Sequence, residues 1–337
     1  MTSTDAIVVG QGFAGTAVAW ALRWYGHRVT VIDRASDVTA SRVAAGLITP
    51  ITGQRLAKSW QFDELWPAAT VFYRRVESEL RSPVLHLGPS LRLFADAGEV
   101  AVFGRQANRF PELVGPPDPP VVVEAFTAPL GGFQMAPAAW LDATAYLDAS
   151  RRHFEREGCY LSAKVDPSHD IELAPDWVRL PRLDIRGRWL VFCQGYDAAG
   201  NPWLPGMQVH PVQGEILTLR IAGLSERRVV HRGVWLAPRG GDTFLAGSTY
   251  DRGRHDSVPT TRGRDEICAR VREFLRLPFD VIDHRAAVRP VAPGNRPVFG
   301  VNPERPQLGY LNGLGSKGAL QAPYFADLLA SRLVSTW

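Results

Sequence analysis

Near its start the chain reads Asp5-Ala6-Ile7-Val8-Val9-Gly10-Gln11-Gly12-Phe13-Ala14-Gly15, runs on as an apolar helix, and returns as Arg28-Val29-Thr30-Val31-Ile32-Asp33. A β-branched run that breaks into Gly-x-Gly-x-x-Gly and re-emerges as a strand ending in an acid is the βαβ pattern that grips a dinucleotide. Gly10 lets the strand turn sharply, Gly12 lacks the Cβ that would block a pyrophosphate, and Gly15 allows the helix to pack closely on the strand. Phe13 and Ala14 then open a helix whose free N–H groups and dipole favour phosphate. Asp33 lies 18 residues after Gly15, where a carboxylate accepts both ribose hydroxyls and disfavours a 2′-phosphate. The pattern argues against NADP and leaves FAD and NAD open.

A chain of 337 residues with 45% hydrophobic content buries a large core and has room for two domains. No basic and apolar leader precedes the first strand, and no uninterrupted apolar span of membrane length follows. Cys159, Cys193 and Cys268 are scattered without pairing or metal spacing, which reads as reduced thiols in a cytoplasmic protein. The net charge is +4, yet only Lys58, Lys164 and Lys317 are lysines, and no Lys/Arg block is dense enough to mark a nucleic-acid face. The eight histidines show no ligand spacing, so no metal is expected.

Along the chain, apolar residues at Phe62, Leu65, Trp66, Ala69, Phe72, Tyr73 and Val76 give a helical period over Trp60 to about Leu80. A second helix is expected from about Pro137 to Glu157, led by its proline. Strand-like runs follow at Tyr160 to Val165, Ile171 to Leu173 and Trp189 to Cys193. Residues 212 to 249 read as short alternating antiparallel strands with Gly240-Gly241-Asp242 as a hairpin turn. A helix over Thr261 to Leu275 comes next, then a strand at Gly309 to Leu311, a glycine turn and a helix over Ala319 to Leu333. Pro-rich breaks at 115–120 and 202–211 suggest crossings between domains. The expected division is a discontinuous nucleotide-binding domain of residues 1–82, 138–205 and 295–337, with 83–137 and 206–294 forming a substrate domain. Residues 83–137 are candidates for a lid.

Four further segments extend the pattern beyond the N-terminus: Ser41-Arg42-Val43-Ala44-Ala45-Gly46-Leu47-Ile48, Cys193-Gln194-Gly195-Tyr196, Pro211-Val212-Gln213-Gly214-Glu215-Ile216, and Ala287-Val288-Arg289-Pro290 with Asn295-Arg296-Pro297-Val298-Phe299-Gly300. Together with the opening they resemble the FAD-dependent D-amino acid oxidase and glycine oxidase superfamily over nearly the whole chain. Glu215 stands where that family usually carries Gln. The stretch Leu311-Asn312-Gly313-Leu314-Gly315-Ser316-Lys317-Gly318-Ala319-Leu320 is similar to the oxidoreductase half of the bacterial bifunctional tRNA wobble-uridine modification enzymes. That half removes a carboxymethyl group from a modified nucleoside, and its substrate is thus an N-substituted glycine.

The resemblance implies an α/β fold with a Rossmann-like FAD-binding domain and a second, mainly antiparallel β-sheet substrate domain of α+β type. It implies an FAD enzyme that oxidises the C–N bond of a small amino acid or N-substituted glycine by hydride transfer to flavin. The reduced flavin would be reoxidised by oxygen or an external electron carrier. The alternatives are a stand-alone tRNA wobble-uridine oxidoreductase, which makes tRNA a partner, and a non-catalytic flavin-binding protein. The expected cofactor set is Gly10, Gly12, Phe13, Ala14, Gly15, Asp33, Arg34, Ser41, Ala45, Gly46, Leu47, Val165, Gly195, Gly313, Gly315, Ser316, Lys317 and Gly318. Arg289 is expected to fork onto a substrate carboxylate. Tyr250 would donate a phenolic hydrogen bond over the substrate, and Lys317 would stabilise negative charge on the flavin pyrimidine.

Overall fold

The computed structural model describes residues 2–118, 125–204 and 206–335. Two sheets organise it. A six-stranded sheet has the order Tyr160–Ser162, Val29–Asp33, Ala6–Val9, Trp189–Phe192, Leu308–Asn312 and Val298–Val301, parallel except at its last pair. Its central strands are β-branched, apolar and buried on both faces, as a parallel sheet requires. The helices Phe13–Trp24, Phe62–Leu80, Ala143–Arg156 and Gly318–Ser335 contribute to one hydrophobic core that includes Trp20, Tyr73, Tyr146 and Phe154.

The second sheet has eight strands in the order Asp280–Val291, His210–Arg220, Thr243–Gly247, Val234–Pro238, Val230–Arg232, Ser90–Leu93, Gly132–Met135 and Val114–Asp118. It is antiparallel apart from the Val230–Arg232 and Ser90–Leu93 pair. Strand alternation gives it two faces. Leu217, Leu219, Leu236, Phe244 and Ala246 pack with Ile267, Val271 and Phe274 of the helix Thr261–Arg272. The neighbours in between, Gly214, Ile216 and Trp235, face a cavity instead.

One helix departs from the sequence expectation. Pro137 does not open it; the helix begins at Ala143, after Asp142 accepts the Ala145 N–H at 2.9 Å. The intervening Ala139–Leu141 is a strand that pairs with Leu47–Ile48 and Leu85–Leu87. A capping aspartate outweighs the helix-leading tendency of a proline five residues earlier. The proline-rich breaks at 115–120 and 202–211, and the segment 83–137, lie partly outside the described residues. What is described of 83–137 supplies three strands to the eight-stranded sheet as well as the helix Ala97–Gln106. Among the described residues no helix is long and apolar enough to cross a membrane, and no group of His, Cys, Asp or Glu is arranged to hold a metal ion.

Candidate active site

The Gly-rich turn sits at the C-terminal end of Ala6–Val9, and its glycines are enforced by contact. A Cβ on Gly10 would lie 2.3 Å from the Cys193 carbonyl oxygen, and one on Gly15 would lie 1.7 Å from the Gly10 carbonyl oxygen. Gly12 caps the helix Phe13–Trp24 with no side-chain hydrogen bond, so its first-turn N–H groups are turned outward, apart from Phe13 N–H, which donates to Ser41 Oγ at 3.0 Å. Asp33 is oriented by Gln11 N–H at 2.8 Å and Ala35 N–H at 2.7 Å. Arg151 donates to Gln11 Oε1 at 2.9 Å and bridges towards Asp33 at 3.7 Å.

These groups open onto a cavity of about 740 Å³ running from the six-stranded sheet to the eight-stranded one. That volume suits a large cofactor together with a small substrate. Of the expected cofactor set, Gly10, Gly12, Phe13, Ala14, Asp33, Arg34, Ser41, Ala45, Gly46, Leu47, Val165, Gly195, Gly315, Ser316 and Gly318 line it. Gly15 does not; it serves the helix–strand contact. Gly313 is also off the wall, and a Cβ there would meet Ala292 Cβ at 2.6 Å. The uncapped helix end, the close-packed glycines and the exposed face of the Asp33 carboxylate fit an ADP-bearing cofactor such as FAD. The phosphates would lie at Gly12 and Ser41, and the ribose at Asp33.

Lys317 is not among the lining residues, although Ser316 and Gly318 on either side are. Burial pulls its ammonium down to about 8, and its charge acts on His231 together with that of Arg92. His231 and Arg92 are direct cross-strand neighbours of the eight-stranded sheet. Burial foremost, then the charges of Arg92 and Lys317, hold His231 down at about 3, and its Nε2 has no hydrogen-bond partner among the described residues.

At the other end of the cavity, Arg289 lies flat on the sheet. A Cβ on Gly214 would be only 1.9 Å from its Nη2, so the missing side chain is what lets the guanidinium settle there. Arg289 donates to Ser248 Oγ at 2.9 Å and to the Thr249 carbonyl at 3.3 Å. It forms no ion pair among the described residues, and burial lowers its pKa. Tyr250, half-exposed at 51%, is not among the residues that line the cavity; it lies beside Arg289, whose guanidinium is 6.0 Å from its ring centroid. The wall beside Arg289 is completed by Ile216 and Ala287, which lie in the quoted motif segments but were given no site role there, and by Trp235 and Ser248, which no motif marked. The signal for Trp235 and Ser248 is present only in strand register. Both stand next to Gly247, a residue with no side chain, where a Cβ would touch the Trp235 ring at 2.9 Å.

Comparison with known proteins agrees with this geometry. Over 348 residues the chain is 29% identical to the tRNA 5-methylaminomethyl-2-thiouridine biosynthesis bifunctional protein MnmC of Caulobacter vibrioides, covering 97% of this chain and 54% of that protein. It is 27% identical to the putative thiamine biosynthesis oxidoreductase ThiO of Rhizobium etli, covering 98% of this chain and 96% of that one. The chain therefore spans about half the length of the bifunctional relatives and nearly all of ThiO. The fold superposes on the crystal structure of glycine oxidase from Geobacillus kaustophilus with a TM-score of 0.84 at 20% identity, over 100% of this chain and 95% of that one. The FAD dependent oxidoreductase family, DAO, matches residues 5–332, and the chain belongs to that family as an FAD-dependent oxidoreductase.

Proposed function

We propose that this oxidoreductase acts on the C–N bond of a small amino acid or N-substituted glycine, with Arg289 holding the substrate carboxylate. The observation that carries the reading is a nearly buried guanidinium at the cavity wall whose two hydrogen bonds go to neutral acceptors, Ser248 Oγ and the Thr249 carbonyl. A buried cation without a counter-charge is costly, and a carboxylate matching its planar fork supplies that charge. FAD held in the cavity would supply the hydride acceptor for the carbon next to nitrogen, and the imine left would be hydrolysed by water. The chain itself positions and desolvates the substrate. Arg289 fixes one end of it, and Ile216, Trp235 and Ala287 exclude water from its apolar side. No protein base is needed when the amine binds neutral. Oxygen or an external carrier takes the electrons onward.

Anaerobic mixing of the holoprotein with glycine, sarcosine and D-proline, followed by flavin absorbance, tests the reading. Bleaching by one of them supports it; a flavin that stays oxidised with every carboxylate-bearing amine rejects it. Arg289→Lys keeps the charge but loses the fork, and is expected to raise KM for a carboxylate substrate by about 30- to 100-fold with FAD retained. Unchanged kinetics would remove Arg289 from the site.

A second reading places the same chemistry on a tRNA wobble uridine. It is favoured by the MnmC relatives and by the exposed Tyr250 ring beside Arg289, which Arg252 covers at 5.7 Å. It predicts tRNA binding that weakens steeply with salt. Absence of binding at low salt rejects it.

A further inference from the structure

We propose that Arg239 is a positioning residue for the cofactor, acting through the carbonyl of Ala45. Arg239 follows the strand Val234–Pro238 in the eight-stranded sheet, beside the Gly240-Gly241 turn, and does not itself line the cavity. Its guanidinium crosses to the cofactor side, where one terminal nitrogen donates to Ala45 O at 2.7 Å. The other donates back to Pro238 O at 2.8 Å. The flat of the group lies over Trp140 at 4.5 Å, and the Trp140 ring stacks on His86 at 3.8 Å. No carboxylate forms an ion pair with it among the described residues. Asp142 is the acid whose field reaches it, and that carboxylate is already occupied in capping the helix Ala143–Arg156. Burial lowers Arg239 to about 10, so it stays cationic at neutral pH.

The segment it grips is the cavity wall Ala44-Ala45-Gly46-Leu47. Gly46 sits at φ +67°, with Leu141 O only 2.0 Å from where a Cβ would be, and Gly46 O accepts Leu141 N–H at 2.9 Å. Two successive peptides are thus pinned, Ala45–Gly46 by Arg239 at Ala45 O and Gly46–Leu47 by Leu141 at Gly46 O. In a trans peptide the N–H points opposite to the C=O. Anchoring Ala45 O on the guanidinium therefore turns Gly46 N–H away from Arg239, towards an acceptor in the cavity that Gly46 lines. A planar fork that reaches two carbonyls suits this task, which a lysine cannot match. The same geometry puts an unneutralised cation one peptide behind the cofactor wall, where it favours the extra negative charge of a reduced cofactor.

The test measures two properties of the holoprotein: the rate of FAD release, by recovery of free-flavin fluorescence, and the two-electron potential, by dye equilibration. Arg239→Gln is expected to release FAD at least tenfold faster. It should also lower the preference for reduced over oxidised flavin about tenfold, or about 30 mV for a two-electron couple. Arg239→Lys keeps the charge and loses one carbonyl, so FAD release should quicken while the potential stays at the parental value. Arg232→Gln removes a guanidinium of the same sheet that pairs with Glu273 at 3.2 Å away from the cavity, and should change neither property. Parental release and potential in Arg239→Gln overturn the proposal. So does Arg232→Gln releasing FAD as fast as Arg239→Gln, which would reduce Arg239 to a general support. If Arg239→Gln fails to accumulate, Arg239→Lys decides alone, and parental FAD release in that variant overturns the proposal.

Discussion

Gly214 shows how one hydrogen atom shapes the site. With a Cβ at 1.9 Å from Nη2, Arg289 could not lie against its strand, so Gly214→Ala is expected to lift the guanidinium out of place. KM for a carboxylate substrate should rise at least tenfold with FAD still bound, about 1.4 kcal/mol by steady-state kinetics. His231 gives the pH behaviour at this scale. Its folded-state pKa of about 3 lies below the ordinary 6.5, so the unfolded chain binds more protons between those values and stability falls as pH drops from about 6.5 to 3. The His231 contribution is at most about 1.4 kcal/mol per pH unit. Urea unfolding at pH 7 and pH 4.5 should show a smaller loss in His231→Phe than in the parent. At this scale the short motifs carrying Arg289 and Gly214 were legible, and both residues line the cavity. The seating of one on the other and the place of Trp235 were not, because they depend on which strands become neighbours.

The helices divide by how their first turns are satisfied. Those beginning at Ala40, Ala97, Ala143 and Thr261 are capped by Thr39, Asp96, Asp142 and Thr260, whose side chains accept backbone N–H groups. The helix Phe13–Trp24 has only Gly12 there, and this uncapped end faces the cavity. Thr260 has a second duty. Its hydroxyl donates to Glu215 Oε1 at 2.7 Å and its N–H to Oε2 at 2.9 Å, while His284 Nε2 lies 2.7 Å from the same carboxylate. Thr260→Ala is therefore expected to cost about 1–2 kcal/mol in urea unfolding, with FAD retained. The carboxylate of Glu215, which departs from the family's Gln, holds the start of the helix Thr261–Arg272 against its strand. Helix periodicity and glycine spacing were legible because they are local. The helix start at Ala143 was misread because Pro137 and Asp142 give competing local signals, and only the pairing of Ala139–Leu141 with two distant strands ranks them.

In the whole molecule the cavity lies between two sheets, and it is lined by elements from both ends of the chain. A ligand that binds only the folded state stabilises it by RT ln(1 + [L]/Kd), about 2.7 kcal/mol at a hundredfold excess over Kd. Removing FAD should lower the thermal midpoint by several degrees, and adding FAD back should restore it; a midpoint indifferent to FAD would place the cofactor outside the cavity. The sequence by itself determined the dinucleotide turn, with the acid that ends its second strand, and the family. The turn and its acid rest on residues within some thirty positions, where glycine conformation and strand period act locally, and the family on short segments spread over nearly the whole chain. Tertiary structure alone decided the rest: the seat for Arg289 against Gly214, and the reach of Arg239 to Ala45. Those contacts join residues up to 194 positions apart, and a register between distant strands has no signature in any local stretch of chain.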